Sequence, residues 1–196
     1  MESKSRIIVG ISGASGIIYG IRLLEILKKL PVETHLIISK SAQLIREYET
    51  NLTVSELKAM ADVYYPWSDI GASIASGSYK TLGMIIAPCS MKTLAEIAHG
   101  ISSNLIGRAA DVILKERRKL VLMTRESPLH LGHLQNMVSV TQQGAIVCPV
   151  VPAFYNKPET VDDIINHSIG RALDLFDLDA GIVKRWDKNN MSDMDV

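Results

Sequence analysis

An α/β fold, one doubly wound parallel sheet with helices on both faces, is what this sequence predicts, and three observations predict it. Short apolar runs rich in β-branched residues alternate with longer stretches of helical periodicity, four or five times over. No internal repeat, low-complexity stretch or Pro/Gly linker divides the 196 residues into separate units. Hydrophobic residues make up 47% and charged residues 21%, which suits a chain that buries a core and excludes disorder as its main state.

The elements follow in order. Residues 6–11 form a first strand. Residues 17–30 carry apolar side chains at 17, 18, 21, 24 and 27, with Arg22, Glu25 and Lys28 elsewhere, a helix that Pro31 stops. A second strand spans 33–38. Residues 42–49 and 55–61 read as helices, with Thr53 or Ser55 capping the second. Residues 66–77 are loop-like. A buried strand at 84–87 ends at Pro88, and a helix over 90–99 begins at Ser90 or its neighbour. The next helix, 103–118, ends in Lys115, Arg117 and Arg118, which complement the negative helix terminus. A strand over 119–124, a helix over 130–143 closed by Gly144, and a strand over 145–147 ended by Pro149 come next. The last helix, 160–176, has Thr160 and Asp163 in capping-box spacing. Residues 187–196 read as a polar tail, which leaves 1–186 as the domain. Ligands of such a sheet lie off the carboxyl ends of its strands.

Charge and cysteine content narrow the partners. Lys plus Arg and Asp plus Glu both number 21, so the net charge is zero and nothing draws the whole chain to nucleic acid or an anionic membrane. An anionic ligand must be held locally. Cys89 and Cys148 are too few for a disulfide framework or a cysteine zinc site and read as reduced thiols of a cytoplasmic protein. Lys4 and Arg6 precede an uncharged run at 7–21, as in a short signal peptide. Its glycines at 10, 13, 16 and 20 suit a turn better, and it leads straight into the first helix. No run reaches the roughly 18 apolar residues of a membrane span.

Chemistry concentrates where strands meet helices. Gly10 to Gly16 joins the first strand to the first helix with Ser12 and Ser15 as hydroxyl donors, the composition of a phosphate cradle. Position 12 is Ser, so this is not the dinucleotide G-x-G-x-x-G, and no Gly-Lys-Ser/Thr follows as in a nucleotide P-loop. The second strand ends at Ile38-Ser39-Lys40 without an acidic ribose partner, which disfavours NAD and leaves a mononucleotide such as FMN open. Ser90 and Thr93 flank a helix start at the same edge. Arg125-Glu126 closes a parallel strand, a pair suited to bind an anion and move a proton, or a plain surface ion pair. Asp111 and Lys115 have the spacing of a solvated helix pair, with Arg108 on the same face. Arg171 lies near the apolar stripe of the last helix, either snorkelling or lining a pocket between subunits. His130 and His133 lack an acidic companion and read as helix-surface residues.

Taken together, these motifs resemble the UbiX/Pad family of flavin prenyltransferases, long labelled aromatic-acid decarboxylases. The resemblance is carried by 13–20 (GASGIIYG), Ile38-Ser39-Lys40, Ala75-Ser76-Gly77-Ser78, 87–95 (APCSMKTLA), Asn104 to Val112, 115–118 (KERR), Arg125-Glu126-Ser127-Pro128 and Pro152-Ala153-Phe154-Tyr155, in unbroken order up to Trp186. It implies a Rossmann-like flavoprotein that joins the dimethylallyl group of dimethylallyl monophosphate to N5 and C6 of reduced FMN without a metal. Prenylated FMN then passes to UbiD-type decarboxylases. By position, Gly13, Ala14, Ser15, Ser39, Ser90, Met91, Lys92, Thr93 and Arg125 are the implied FMN residues. Arg108, Tyr155 and Arg171 are implied for the prenyl phosphate, with Lys115 near it. Ser15, Glu49, Lys115 and Glu126 are implied as catalytic. The family further implies a homo-oligomer, a dodecamer, with sites at subunit interfaces. One departure stands out: many members carry Trp where this chain has Ile70, and its Trp67 lies three residues earlier. Two other readings compete. A flavin-dependent cysteine decarboxylase shares the flavin loops, but its Asn- and Met-containing substrate motif is not found here. A flavin-binding accessory subunit of a decarboxylase is favoured only by loss of Lys115, Glu126, Tyr155 or Arg171, and all four are present.

Overall fold

β1 (Ser5–Ile11) lies at the centre of the sheet because its last five residues are buried on both faces, the signature of a parallel strand covered by helices. The computed structural model describes residues 4–185; the expected tail at 187–196 lies outside the described residues. The uncharged run after Arg6 is therefore β1 and α1 (Ile17–Leu27). β2 (Val32–Ile38), α2 (Lys40–Glu49), α3 (Val54–Ala59) and β3 (Val63–Tyr65) follow on one side of β1. The chain then crosses back to β4 (Gly83–Cys89), α4 (Met91–Ala98), α5 (Leu105–Lys115), β5 (Lys119–Thr124), α6 (Leu131–Gln142), β6 (Ile146–Val147) and α7 (Val161–Asp174). All pairs are parallel, in the order β3-β2-β1-β4-β5-β6. The order reverses between β1 and β4, so the ligand crevice opens at their carboxyl ends.

Period-two alternation divides the core. Ile7, Val9, Ile11, Leu36, Ile38, Ile85, Ala87, Val121 and Met123 pack with α1 and α7 on one face. Ile8, Ile37, Met84, Ile86, Leu120 and Leu122 pack with α4 and α5 on the other. Capping fixes the helix starts: Thr53 and Thr160 form capping boxes with Glu56 and Asp163, while Ser39, Ser90 and Asn104 cap α2, α4 and α5.

Three expectations need correction. β3 has no alternation to reveal it, because its three residues are all half-buried. β4 does not stop at Pro88; it runs through to Cys89 with a register irregularity after Ile86, which accommodates a residue lacking an N–H. The loop at 66–77 contains a 3₁₀ turn, Ser73–Ala75.

α1 sits close against β4. A Cβ on Gly20 would fall 2.5 Å from the Ala87 carbonyl oxygen and 2.8 Å from Ile11 Cδ1. Backbone cannot yield there without moving a sheet strand. Gly20→Ala is expected to lose about 1–3 kcal/mol of stability, the usual range for overpacking, read by chemical unfolding.

Candidate active site

The carboxyl ends of β1 and β4 are joined by one side chain. Ser12 is 1% exposed. Its N–H donates to the Pro88 carbonyl at 3.2 Å and its hydroxyl donates to the same oxygen at 2.8 Å. The hydroxyl accepts in turn from the Ser90 N–H at 2.8 Å. Ser12 is thus not the ligand donor its sequence position suggests; it sets the spacing of the two loops. The Ser39 N–H donates to the Ile11 carbonyl at 2.9 Å, and the Arg125 N–H donates to the Cys89 carbonyl at 3.2 Å. Four loops, after β1, β2, β4 and β5, are thereby gathered at one edge.

Each loop offers different donors. The Ser39 hydroxyl accepts from the Ala42 N–H at 3.0 Å, and the Ser90 hydroxyl accepts from the Thr93 N–H at 3.2 Å. The earlier N–H groups of those first turns, Lys40 and Ser41 in α2, Met91 and Lys92 in α4, have no partner within their own helices and suit an anion. α1 is different. Gly16 caps it at φ 96, a left-handed conformation that favours glycine. The Gly16 N–H donates to Glu49 Oε2 at 2.9 Å and the Ile17 N–H donates to the same oxygen at 3.0 Å. The expected phosphate cradle is therefore closed by a carboxylate from the end of α2. Burial alone pushes the Glu49 carboxyl up. Hydrogen bonds from the Ser15 hydroxyl, Gly16 and Ile17, with the Arg125 charge, outweigh that and hold it below the ordinary range.

Beside these loops lies a cleft of about 510 Å³ lined by Ser39, Lys40, Ser41, Leu44, Trp67, Lys92, Ser103 and Asn104. Its mix of an aromatic wall, hydroxyls, an ammonium and adjacent helix N-termini fits a flavin mononucleotide, which has an aromatic ring, a polyol and a phosphate. Trp67 lines the cleft, whereas Ile70 is 59% exposed and is not among the lining residues. The Trp67 indole is therefore the aromatic side chain that this region supplies.

The remaining site candidates fall in different places. Gly13, Ala14, Ser15, Ser39, Glu49, Ser90, Met91, Lys92, Thr93, Arg125 and Glu126 are all on the gathered loops or at their helix ends. Glu126 accepts from the Ser127 N–H at 3.0 Å, and among the described residues it makes no ion pair with Arg125. Asp111 pairs with Arg108 at 2.9 Å and not with Lys115, whose ammonium bonds Glu116. α5 begins near the cleft, where the Leu105 N–H donates to the Trp67 carbonyl at 2.8 Å, and runs away from it. Lys115 thus ends four residues before β5 begins, at the amino edge of the sheet, across the protein from Ser15. Tyr155 and Arg171 form their own cluster on the segment after β6 and on α7. Arg171 is exposed and bonds Asp174 at 2.8 Å instead of snorkelling. His167, overlooked in the sequence because it reads as one more helix residue, bonds the Tyr155 hydroxyl at 2.9 Å. His130 caps α6 by accepting the Gly132 N–H at 3.0 Å, a role beyond that of a surface residue. Both cysteines are free; burial pushes the Cys89 thiol up to about 12, so it is inert. Among the described residues no helix is long and apolar enough to cross a membrane.

The Glu49 seat has a pH signature. Its carboxyl is lowered in the folded chain, so its contribution to stability is complete above the ordinary carboxyl value of about 4.3. The contribution is lost as pH falls through the lower folded value. Glu49→Gln is expected to unfold more easily than the parent at neutral pH, with the gap closing as pH falls through that window, measured by denaturant titration at a series of pH values.

Comparison with known proteins agrees with this geometry. The Flavoprotein family model matches residues 1–173. A flavin prenyltransferase UbiX of Thauera aromatica is 56% identical over 184 residues, covering 94% of this chain and 95% of its own. The flavin prenyltransferase UbiX of Escherichia coli (strain K12) is 52% identical, covering 92% and 97%. Among solved structures, AnUbiX (PadA1) in complex with FMN and dimethylallyl pyrophosphate superposes with TM-score 0.93 at 50% identity, covering 94% of this chain and 98% of that one. A dodecameric FMN-dependent UbiX-like decarboxylase from Escherichia coli O157:H7 gives TM-score 0.91 at 49% identity, covering 93% and 99%. The peptidyl-cysteine decarboxylase EpiD, 16% identical with TM-score 0.65 over 90% of this chain and all of its own, shares the fold alone.

Proposed function

The chain belongs to the flavin prenyltransferases of the Flavoprotein family, and from that premise we propose how its residues divide the work. It joins the dimethylallyl group of dimethylallyl monophosphate to N5 and C6 of reduced FMN. The observation that carries the reading is the edge where four strand ends converge: an ionised Glu49 on Ser15, beside a cleft with flavin-sized donors. It favours a prenyltransferase over a cysteine decarboxylase or an accessory subunit because it sets a proton acceptor beside the flavin loops.

Reduced FMN supplies the nucleophilic ring atoms. Gly13, Ala14, Ser15, Ser39, Ser90, Met91, Lys92, Thr93 and Arg125 hold it, with the first turns of α2 and α4 taking its phosphate now that α1 is closed. Arg108, Tyr155, Arg171 and Lys115 surround the prenyl phosphate, where cations stabilise the charge that grows as the allylic bond breaks. Glu126 gives the departing phosphate a proton. Replacing hydrogen at a ring carbon releases a proton, and Glu49, already ionised and bonded to Ser15, receives it. Enclosure of the prenyl tail against the flavin orients the reacting carbons and excludes water that would trap an allylic cation.

Lys115 lies across the protein from Ser15, so we assign its ammonium to the site of a neighbouring subunit. A homo-oligomer, a dodecamer by analogy with the assembled relative, supplies that neighbour. Exposed Leu131, Leu134 and Val138 on α6 and exposed Val151 and Phe154 offer apolar contact surface for it. We further propose that 1–186 is one catalytic domain, that it works in the cytoplasm, where free thiols persist, and that its product goes to UbiD-type decarboxylases.

Anaerobic incubation with reduced FMN and dimethylallyl monophosphate is expected to give a flavin heavier by one dimethylallyl unit, by mass spectrometry, with or without chelator. Unmodified flavin from a folded, FMN-loaded protein sinks the reading. Glu126→Gln is expected to keep FMN and slow transfer about 10²-fold or more, as for loss of a general acid; turnover at the parent rate places the acid elsewhere. Co-expressed Lys115→Ala and Glu126→Gln chains are expected to recover about a quarter of the parent rate, because random mixing in a symmetric assembly leaves that share of shared sites intact. No recovery means both side chains come from one subunit.

A further inference from the structure

We propose that His167 is a positioning residue: it holds the Tyr155 phenol beside the Arg171 guanidinium, so that the two present one preformed clamp to a phosphomonoester. The inference rests on the reading that Tyr155 and Arg171 receive the prenyl phosphate. Tyr155 belongs to a segment with no helix or strand to fix it, between β6 and the start of α7, and its side chain is 48% exposed. A phenol on such a segment samples many positions unless something holds it. The hydroxyl lies 2.9 Å from His167 Nε2, and the rings meet edge to face at 5.5 Å and 80°. His167 is itself only 7% exposed, on the packed side of α7. It is a fixed post on the best-ordered element nearby.

Arg171 follows His167 by four residues, so the two side chains share one face of α7. Its guanidinium is not loose either. It donates to Asp174 at 2.8 Å, and Asp174 is held from the other side by two nitrogens of Arg185 at 3.0 and 3.1 Å. Both prospective phosphate donors are therefore oriented before any ligand arrives, which lowers the ordering cost of binding.

The hydrogen bond also constrains the proton. Burial, then the nearby Arg171 charge, push the His167 imidazole below its ordinary range, with Asp174 opposing, so it is neutral at physiological pH with one N–H. With that hydrogen on Nε2, the ring donates to the phenol oxygen and leaves the Tyr155 O–H free to donate to a phosphate oxygen. The other tautomer consumes the phenol's own hydrogen. Phosphate capture by Tyr155 therefore selects the Nε2–H form.

The test uses the FMN-loaded protein. Dimethylallyl monophosphate binding is measured calorimetrically with the flavin oxidised, so that no transfer occurs, and steady-state transfer is measured with it reduced. His167→Phe keeps a ring of similar size and loses the hydrogen bond; His167→Gln keeps an amide N–H. His167→Phe is expected to raise Kd and KM about tenfold, a typical loss for one oriented hydrogen bond, with kcat and FMN occupancy little changed. His167→Gln is expected to recover most of the loss. In a Tyr155→Phe background His167→Phe is expected to add nothing, since the hydroxyl it positions is gone. A parent that transfers the prenyl group normally but whose phosphate affinity ignores His167→Phe overturns the proposal alone, as does a loss that persists in full in the Tyr155→Phe background. A parent that makes no prenylated flavin overturns both this and the reading beneath it.

Discussion

Everything at the ligand edge depends on Ser12. β1 and β4 are neighbours in the sheet, but the chain leaves them in opposite directions, to α1 and to α4 on opposite faces. Their loops have every reason to diverge. Ser12 prevents this with an N–H and an O–H on the Pro88 carbonyl and an oxygen on the Ser90 N–H, all out of water. A buried polar group left without its partner costs about 1–3 kcal/mol, so the three bonds are cheaper kept together than broken singly. The flavin donors before and after this point, Gly13 to Ser15 and Ser90 to Thr93, can converge on one molecule only while that spacing holds. The close approach of Gly20 to the Ala87 carbonyl reinforces it one helical turn away.

Much of this was legible in the sequence. Apolar runs with β-branched residues revealed every strand except β3, and Thr160 with Asp163 announced the start of α7 in advance. These signals are local: periodicity and capping act within a few residues, so a linear reading can recover them. The misses share the opposite property. Glu49 reaches back 33 residues to α1, and no spacing rule connects them. Tyr155 meets His167 only after the intervening segment folds over α7. Arg108 and Lys115 compete for Asp111, and geometry, not spacing, awards it to Arg108. Family resemblance supplied the site's membership but not its arrangement. It grouped Lys115 with Ser15, whereas α5 carries them to opposite edges of one chain.

The separation also explains how a neutral chain manages a charged reaction. Arg125 faces Glu49, Arg108 faces Asp111, Lys115 bonds Glu116 and Arg171 bonds Asp174, so each cation of the prospective site rests on a carboxylate within its own subunit. Partly exposed pairs of this kind are weak and exchange readily. A phosphate can therefore draw the cations without leaving a strongly buried acid unpaired. The positive field needed for phosphate departure is assembled at the site while the surface stays balanced overall.

The carboxylate seated on α1 has a consequence for selectivity. In dinucleotide-binding folds that helix terminus is where a pyrophosphate docks. Here the position is filled by an internal competitor, tethered by the chain itself and so present at an effective concentration fixed by geometry, not by metabolite supply. A ligand with a pyrophosphate in that register must evict an ionised acid and face its repulsion at the same time. Discrimination against abundant cellular dinucleotides thus rests on prior occupancy of the subsite, a rejection that needs no steric wall and leaves the neighbouring cleft wide enough for a mononucleotide and its second substrate.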